Sequence, residues 1–73
     1  MSTLEESVRG TVKFFAQDKG WGFLARDDGN GDVFVHANEF RRAEIESPAE
    51  GDAFVFDVED APKGKRAKNI SRA

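Results

Sequence analysis

Short apolar runs rich in β-branched and aromatic residues recur along this chain between polar turns that contain glycine, which is the pattern of short β-strands. Ala37 to Arg42 alone favours a turn of helix, and Arg42 to Gly51 is predicted to be a long polar loop. The predicted strands are Val8 to Ala16, Trp21 to Arg26, Val33 to His36, Ala53 to Val58 and, more weakly, Arg66 to Ile70. Five short strands with one long connection predict an all-β fold, either a small barrel or a sandwich.

Turns that contain glycine separate the predicted strands. Asp18-Lys19-Gly20 follows the first strand, Asp27 to Gly31 the second and Pro62-Lys63-Gly64 the fourth. Glycine supplies the positive φ that tight hairpins require, so Asp-Gly and Asn-Gly steps between apolar runs predict hairpins. At 73 residues the chain has room for one domain, which we place at residues 8–73. Residues 1–7 are predicted to be a short N-terminal tail, frayed over its first six residues.

Alternation gives the second and third strands one aliphatic and one aromatic face. The aliphatic face predicts the core, to which the fourth strand adds its own alternating apolar residues. The expected core residues are Leu24, Val33, Val35, Phe54, Phe56 and Val58. The residues expected on the opposite face, towards solvent, are Trp21, Phe23, Phe34 and His36.

The first strand contains two adjacent phenylalanines, Phe14 and Phe15, which cannot share one face of a regular strand. Either Val12 and Phe14 both point inwards, or a bulge breaks the alternation. The residues alone leave these two arrangements open.

Exposed rings beside Lys13 and Lys19 favour single-stranded nucleic acid as the ligand. Unpaired bases stack on rings, at about 1–3 kcal/mol per base whatever the sequence, and ammonium groups attract phosphates. The alternative is a sandwich in which both faces are buried, but such a fold requires a second sheet that 73 residues barely supply.

Charge is unevenly distributed along the chain, whose net charge is −3. Glu44 to Asp60 holds seven acidic residues and no basic one, whereas Ala61 to Ala73 holds five basic residues and no acidic one. Local fields matter more than overall charge for attracting a polyanion. Net acidity therefore does not exclude nucleic acid as a partner.

Composition narrows the remaining function classes. The chain has no cysteine and a single histidine, so we expect neither disulfides nor a metal site nor another cofactor. No apolar run approaches the ~18–20 residues of a membrane span, and the acidic N-terminus is not a secretory signal. We therefore expect a cytoplasmic protein that does not bind membranes.

The most specific motif is Lys19-Gly20-Trp21-Gly22-Phe23-Leu24, which has the form of ribonucleoprotein motif one. Glycine beside each ring is interpreted as clearing room for a base to lie flat. Asp32-Val33-Phe34-Val35-His36 follows at hairpin spacing, and Gly10-Thr11-Val12-Lys13-Phe14-Phe15 precedes it. Together these three segments resemble the cold-shock domain. The resemblance runs from about Gly10 to Ile70 and includes Gly51 and the closing Pro62-Lys63-Gly64.

The resemblance implies a five-stranded antiparallel barrel of the oligonucleotide-binding (OB) type. It also implies that Lys13 and Phe14 face the ligand while Phe15 faces the core. The residues expected to bind nucleic acid are Lys13, Phe14, Lys19, Trp21, Phe23, Phe34, His36 and Arg66.

Several positions depart from the family pattern. The family usually has Trp at Phe14 and Phe at Trp21, so the indole has changed place here. Ala37 stands where a further stacking Phe is common. Ile45 stands where another ring is frequent, and it offers a poorer stacking surface than a ring. The run from Lys63 to Lys68 is more basic than usual, which would compensate electrostatically.

Other functions fit the sequence less well. An RNA-recognition motif needs two helices packed on its sheet, and no segment here forms a long amphipathic helix. Catalysis by His36, with Asp18 or Asp32 nearby, lacks a nucleophile or metal set, so no catalytic residue is expected. A calcium loop from Asp28 to Glu39 fails because Val33 occupies the position that requires glycine. A protein-interaction module would use the same rings, but its affinity would depend less on salt.

The sequence therefore predicts a sequence-tolerant single-stranded RNA- and DNA-binding protein. Binding the open strand but not the paired one shifts a hairpin towards its unpaired form by mass action, which is RNA-chaperone activity without ATP. The resemblance implies a role in translation or transcription antitermination during cold adaptation. We expect a monomer with no small-molecule substrate.

Overall fold

The computed structural model describes residues 4–62 and 64–73, which form a closed barrel of five strands in the order β1-β2-β3-β5-β4. The elements are β1 (Leu4–Ala16), β2 (Trp21–Arg26), β3 (Asp32–His36), α1 (Ala37–Arg42), β4 (Ala53–Ala61) and β5 (Gly64–Arg72). The predicted five-stranded all-β barrel is confirmed. Within this described part, neighbouring strands pair antiparallel except β3 and β5, which run parallel and share one register pair, Phe34 with Arg66.

The interior of the barrel is filled by side chains from all five strands and from α1. The buried apolar residues are Val12, Leu24, Val33, Val35, Phe40, Ile45, Phe54, Phe56, Val58, Ala67 and Ile70. All six residues that alternation assigns to the core belong to this set. The ring of Phe40, on α1, packs edge-on against Phe54 and Phe15, with centroid distances of 5.4 and 5.2 Å. The helix therefore contributes to the core through Phe40.

The end of α1 directs Ile45 into this core. Glu44 adopts a left-handed conformation with φ of 61°. Its N–H donates to the carbonyl of Arg41 at 3.0 Å, and the N–H of Ile45 donates to that of Phe40 at 2.9 Å. This Schellman arrangement folds the chain back over the last turn and favours an apolar contact there. Ile45 is only 4% exposed, so its interpretation as a weak stacking surface is wrong.

Strand β1 begins at Leu4, four residues before the predicted start, so residues 4–7 belong to the barrel and not to a tail. Backbone pairing with β4 continues through this segment, with a register shift between Glu5 and Val8. At the shift the N–H of Ser7 donates to a carboxylate oxygen of Asp57 at 3.1 Å. The predicted tail over residues 1–7 thus extends too far along the chain, because residues 4–7 already belong to β1. Residues 1–3 lie outside the described residues.

Arg26 anchors this early segment through what we call the clasp, formed by Arg26, Glu5 and Asp28. The side chain of Arg26 is only 5% exposed. It donates to both oxygens of Glu5, at 2.8 and 3.0 Å, and to both oxygens of Asp28, at 3.0 and 2.7 Å. A buried guanidinium with two bidentate carboxylates is fully compensated, because planar forks match carboxylate geometry. The clasp therefore ties β1 to the β2–β3 turn.

Truncation of Ile45 tests its place in the core. Ile45→Ala should lower the free energy of unfolding by about 2–5 kcal/mol, because it removes buried methylenes and leaves a cavity. Urea unfolding followed by Trp21 emission measures the loss. Glu46→Ala, at the neighbouring exposed position, is the control and should be close to neutral. An Ile45→Ala protein as stable as the parent would show that the side chain is not buried.

The clasp also predicts a dependence of stability on acid. The hydrogen bonds from Arg26, with a smaller contribution from the N–H of Asn30, lower the pKa of Asp28 from 3.8 to about 2. The same guanidinium lowers the pKa of Glu5. Because the folded-state pKa lies below the unfolded one, the stabilisation is complete above about pH 4 and is lost as the pH falls towards about 2. We therefore expect Asp28→Asn to flatten the fall of the urea midpoint across that window.

Asp27→Asn is the matched control for the acid experiment. Asp27 is the exposed neighbour of Asp28 and forms no ion pair within residues 4–62 and 64–73. Its variant should follow the parent at every pH. Parallel curves for the parent and Asp28→Asn would mean that the clasp contributes nothing to acid sensitivity.

Candidate nucleic-acid interface

Five aromatic side chains lie together on the outer surface of β1, β2 and β3. We call this surface the ring face; its members are Phe14, Trp21, Phe23, Phe34 and His36. The strand registers produce the grouping, since Trp21 lies opposite His36 while Phe23 lies between Phe14 on β1 and Phe34 on β3. The structure thus brings together the five rings that the sequence places at one site.

Four of these rings, those of Phe14, Trp21, Phe23 and Phe34, pack against one another. The indole of Trp21 is central, with its ring centroid 5.8 Å from Phe14, 5.8 Å from Phe23 and 6.2 Å from Phe34. Such edge and offset contacts are favourable at these separations. Trp21, Phe23 and Phe34 are half-buried as a result, whereas Phe14 remains 44% exposed. The ring face is therefore a pre-organised platform that faces solvent, as alternation predicts for Trp21, Phe23, Phe34 and His36, but whose central rings are half-buried by one another.

A bulge in β1 sets the direction of its side chains. The register of β1 on β2 shifts between Val12 and Phe14, and the residue in the shift is Lys13. Val12 consequently points into the barrel, Lys13 and Phe14 point outwards, and Phe15 packs on Phe40. The bulge resolves the two arrangements that the sequence leaves open.

Gly22 allows the bulge to form. A Cβ placed on Gly22 would lie 2.7 Å from the Cα of Phe15 and closer still to the carbonyl oxygen of Phe14. A side chain at this position would therefore collide with the backbone of β1. The resulting overpacking is destabilising unless β1 moves away. The interpretation of Gly22 as clearing room for a base is wrong, because the room is taken by β1. Gly20 serves the preceding turn, where its φ is 78°.

The cations beside the rings are mostly paired with carboxylates. The Nζ of Lys13 lies 2.8 Å from the Oδ2 of Asp32, and the Nη2 of Arg66 lies 2.8 Å from the Oε1 of Glu59. The hydrogen bond from Arg66 lowers the pKa of Glu59, with a further contribution from the nearby charge of Lys68. Lys19 forms no ion pair with any residue that the structure describes. Two of the three predicted cations are thus paired with carboxylates.

Asp32 and Glu59 are the residues that the site prediction misses. Both could be found from register once the turns are placed. Asp32 shares its face of β3 with Phe34, two residues later. Two residues connect β4 to β5, so Ala61 pairs with Gly64 across the turn. The same antiparallel register then pairs Glu59 with Arg66.

His36 has a second role as the N-cap of α1. Its Nδ1 accepts the N–H of Asn38 at 3.1 Å. Side chains that accept from the first turn satisfy backbone donors that the helix leaves free. The cap therefore fixes the orientation of the ring, with Nδ1 turned towards the helix.

An apolar groove of about 610 Å³ adjoins the ring face. Its apolar lining includes Phe23, Phe34, Ala61 and Pro62, and Arg66 is among its polar lining residues. Concave apolar surfaces with a few polar groups are typical of ligand sites. The groove widens the flat stacking surface into a slot.

Two further kinds of feature, a metal-binding cluster and a membrane-spanning helix, are absent from the described residues. Within residues 4–62 and 64–73, no three side chains of the His, Cys, Asp or Glu type converge to hold a metal ion. In the same ranges no helix is long and apolar enough to cross a membrane.

Comparison with known proteins agrees with the geometry. Residues 8–73 match the family described as the 'Cold-shock' DNA-binding domain. The cold shock-like protein of Aquifex aeolicus is 47% identical over 64 residues, which are 88% of this chain and 91% of that protein. The cold shock-like protein CspA of Shewanella violacea is 43% identical over 67 residues, 92% of this chain and 96% of that protein. The major cold shock protein of Micrococcus luteus is 40% identical over 63 residues, 86% of this chain and 94% of that protein. Because the family match and these relatives span nearly the whole chain, the protein belongs to the cold-shock domain family of nucleic-acid-binding proteins.

Proposed function

We propose that this protein binds single-stranded RNA and DNA with little sequence preference, through bases stacked on the ring face. The observation that carries the proposal is the pre-organised cluster around Trp21, whose neighbours lie at 5.8 to 6.2 Å. Stacking needs only the face of a base, which every unpaired nucleotide offers, so affinity does not require a defined sequence. Rings that are already fixed lose little entropy when a base lands on them.

Phosphates are held by Lys13, Lys19 and Arg66 in this proposal, but not on equal terms. Lys19 takes a phosphate directly. Lys13 must first exchange Asp32 for the phosphate oxygens, and Arg66 must exchange Glu59 if it is to donate from Nε and Nη2. Each exchange gains only the difference in free energy between the new ion pair with phosphate and the old ion pair with the carboxylate. The nucleic acid is therefore held loosely and released readily.

Loose binding of the open strand supports action as an RNA chaperone. A protein that binds unpaired but not paired RNA shifts hairpins towards the open form by mass action, and it needs no ATP. The role that fits this activity is assistance of translation or transcription antitermination during cold adaptation, in the cytoplasm, by a monomer. Enzymatic activity is not part of this proposal, since the family is a binding family.

Removal of one ring tests the stacking surface. Phe23→Ala should weaken binding of a short single strand by about 1–3 kcal/mol, the value of one stacked base. Fluorescence titration with an end-labelled oligonucleotide measures the change. Val55→Ala is the matched control because Val55 is a half-buried residue on the outer face of β4, outside the ring face. The stacking proposal fails if the two variants bind equally well.

Salt dependence tests how many phosphates are held. The three contacts proposed on the ring face, at ~0.7 per phosphate, give a slope of log K against log salt of about −2.1. The stacking component should persist at high salt. A duplex of the same length should bind far more weakly, because paired bases cannot present their faces to Trp21, Phe23 and Phe34. Equal affinity for single strand and duplex would refute the mechanism.

A further inference from the structure

A second groove of about 310 Å³ lies past His36, between α1 and β5. Phe34 and His36 belong to its lining as well as to the ring face, so the two surfaces are continuous. A nucleic-acid strand that stacks along the ring face in this direction enters the groove after His36. Ala37 offers no ring for stacking at that point, so charged and polar side chains provide the contacts instead.

The lining of this groove is rich in positive charge. Arg42 comes from α1, while Arg66 and Lys68 come from β5, against the single lining carboxylate of Glu39. Glu59 also lies within reach of the β5 pair, 2.8 Å from Arg66 and 3.6 Å from Lys68. The surface consequently presents three cations to two carboxylates.

Several N–H donors in this groove form no hydrogen bond within the described residues, and one of its cations is only weakly paired. Arg42 is 76% exposed on its side chain, and its closest carboxylate, Glu39, is 3.9 Å away. Arg66 spends Nε and Nη2 on one oxygen of Glu59, which leaves Nη1 without a hydrogen bond to residues 4–62 and 64–73. The side-chain nitrogen of Asn38 is likewise free within that part, since only its oxygen is engaged, by Arg41. The groove therefore offers several N–H donors, and a ligand with several acceptor oxygens matches it.

We infer, on the premise of the proposed function, that this groove holds a phosphate group of the same strand, with Arg42 as its principal contact. Guanidinium forks bind phosphate in a bidentate manner, which stacking residues cannot do. Charge past His36 then replaces the ring that Ala37 lacks. The bound nucleic acid therefore extends beyond the ring face, and electrostatic contacts hold the part that lies past His36.

Arg42→Gln tests the inference, with a single strand of about eight nucleotides, within the site sizes of OB folds. Affinity should fall about two- to fivefold, as expected for one exposed charge pair. The slope of log K against log salt should become shallower by about 0.7, the value of one phosphate. Arg42→Lys retains the charge and should keep the slope. The melting temperature should not change, because Arg42 is exposed and only weakly paired.

Arg9→Gln is the matched control for charge. Arg9 is exposed, forms no ion pair within the described residues, and lies at a different cavity, beside the clasp. An equal loss of affinity in Arg9→Gln and Arg42→Gln would overturn the inference, because it would show a general effect of net charge. Parental affinity and slope in Arg42→Gln would also overturn it. In that second case a loss in Phe23→Ala shows that the proposed function itself stands.

Strands with and without a terminal phosphate identify which phosphate occupies the groove. If the effect of Arg42→Gln appears only with a 5′- or 3′-phosphate, the groove holds the end of the strand. If it is the same for all strands, the groove holds an internal phosphate. Both results support the site.

Discussion

The close approach of β1 and β2 at Gly22 is the constraint on which the ring face depends. With no side chain at this position, the backbone at Phe14 and Phe15 can lie directly over β2. That contact allows the bulge at Lys13, which reverses the direction of the following side chains. Phe14 reaches Trp21 as a consequence, and Phe15 reaches Phe40. One missing Cβ thus determines how both the platform and the core are completed.

The carboxylates around the ring face hold its cations in place. In a chain with net charge −3, Lys13 and Arg66 pair with Asp32 and Glu59 at the surface, where the two cationic side chains remain 61% and 49% exposed. The pairs keep the long cationic side chains near the rings, and they set the free energy that a phosphate must exceed. Net acidity and binding of a polyanion are compatible because the cations are presented locally.

The sequence predicts most of the fold because alternation in β2, β3 and β4 has a single consistent solution once one face must be buried. Leu24, Val33 and Phe56 are assigned to the core on that argument alone, and the structure buries them completely. The errors arise where the position of a residue depends on a distant or irregular contact. Ile45 is turned inwards by the left-handed Glu44, and the pairing of Arg26 with Glu5 spans 21 residues. Periodicity carries no information about either.

The parallel joint between β3 and β5 has a mechanical consequence. Within the described residues its register rests on one pair, Phe34 with Arg66, so it is the shortest seam of the barrel. Both residues of this pair also line the apolar groove beside the ring face. In the complex that we propose, nucleic acid in that groove contacts both β3 and β5. Ligand binding and closure of the barrel at this joint are then thermodynamically linked.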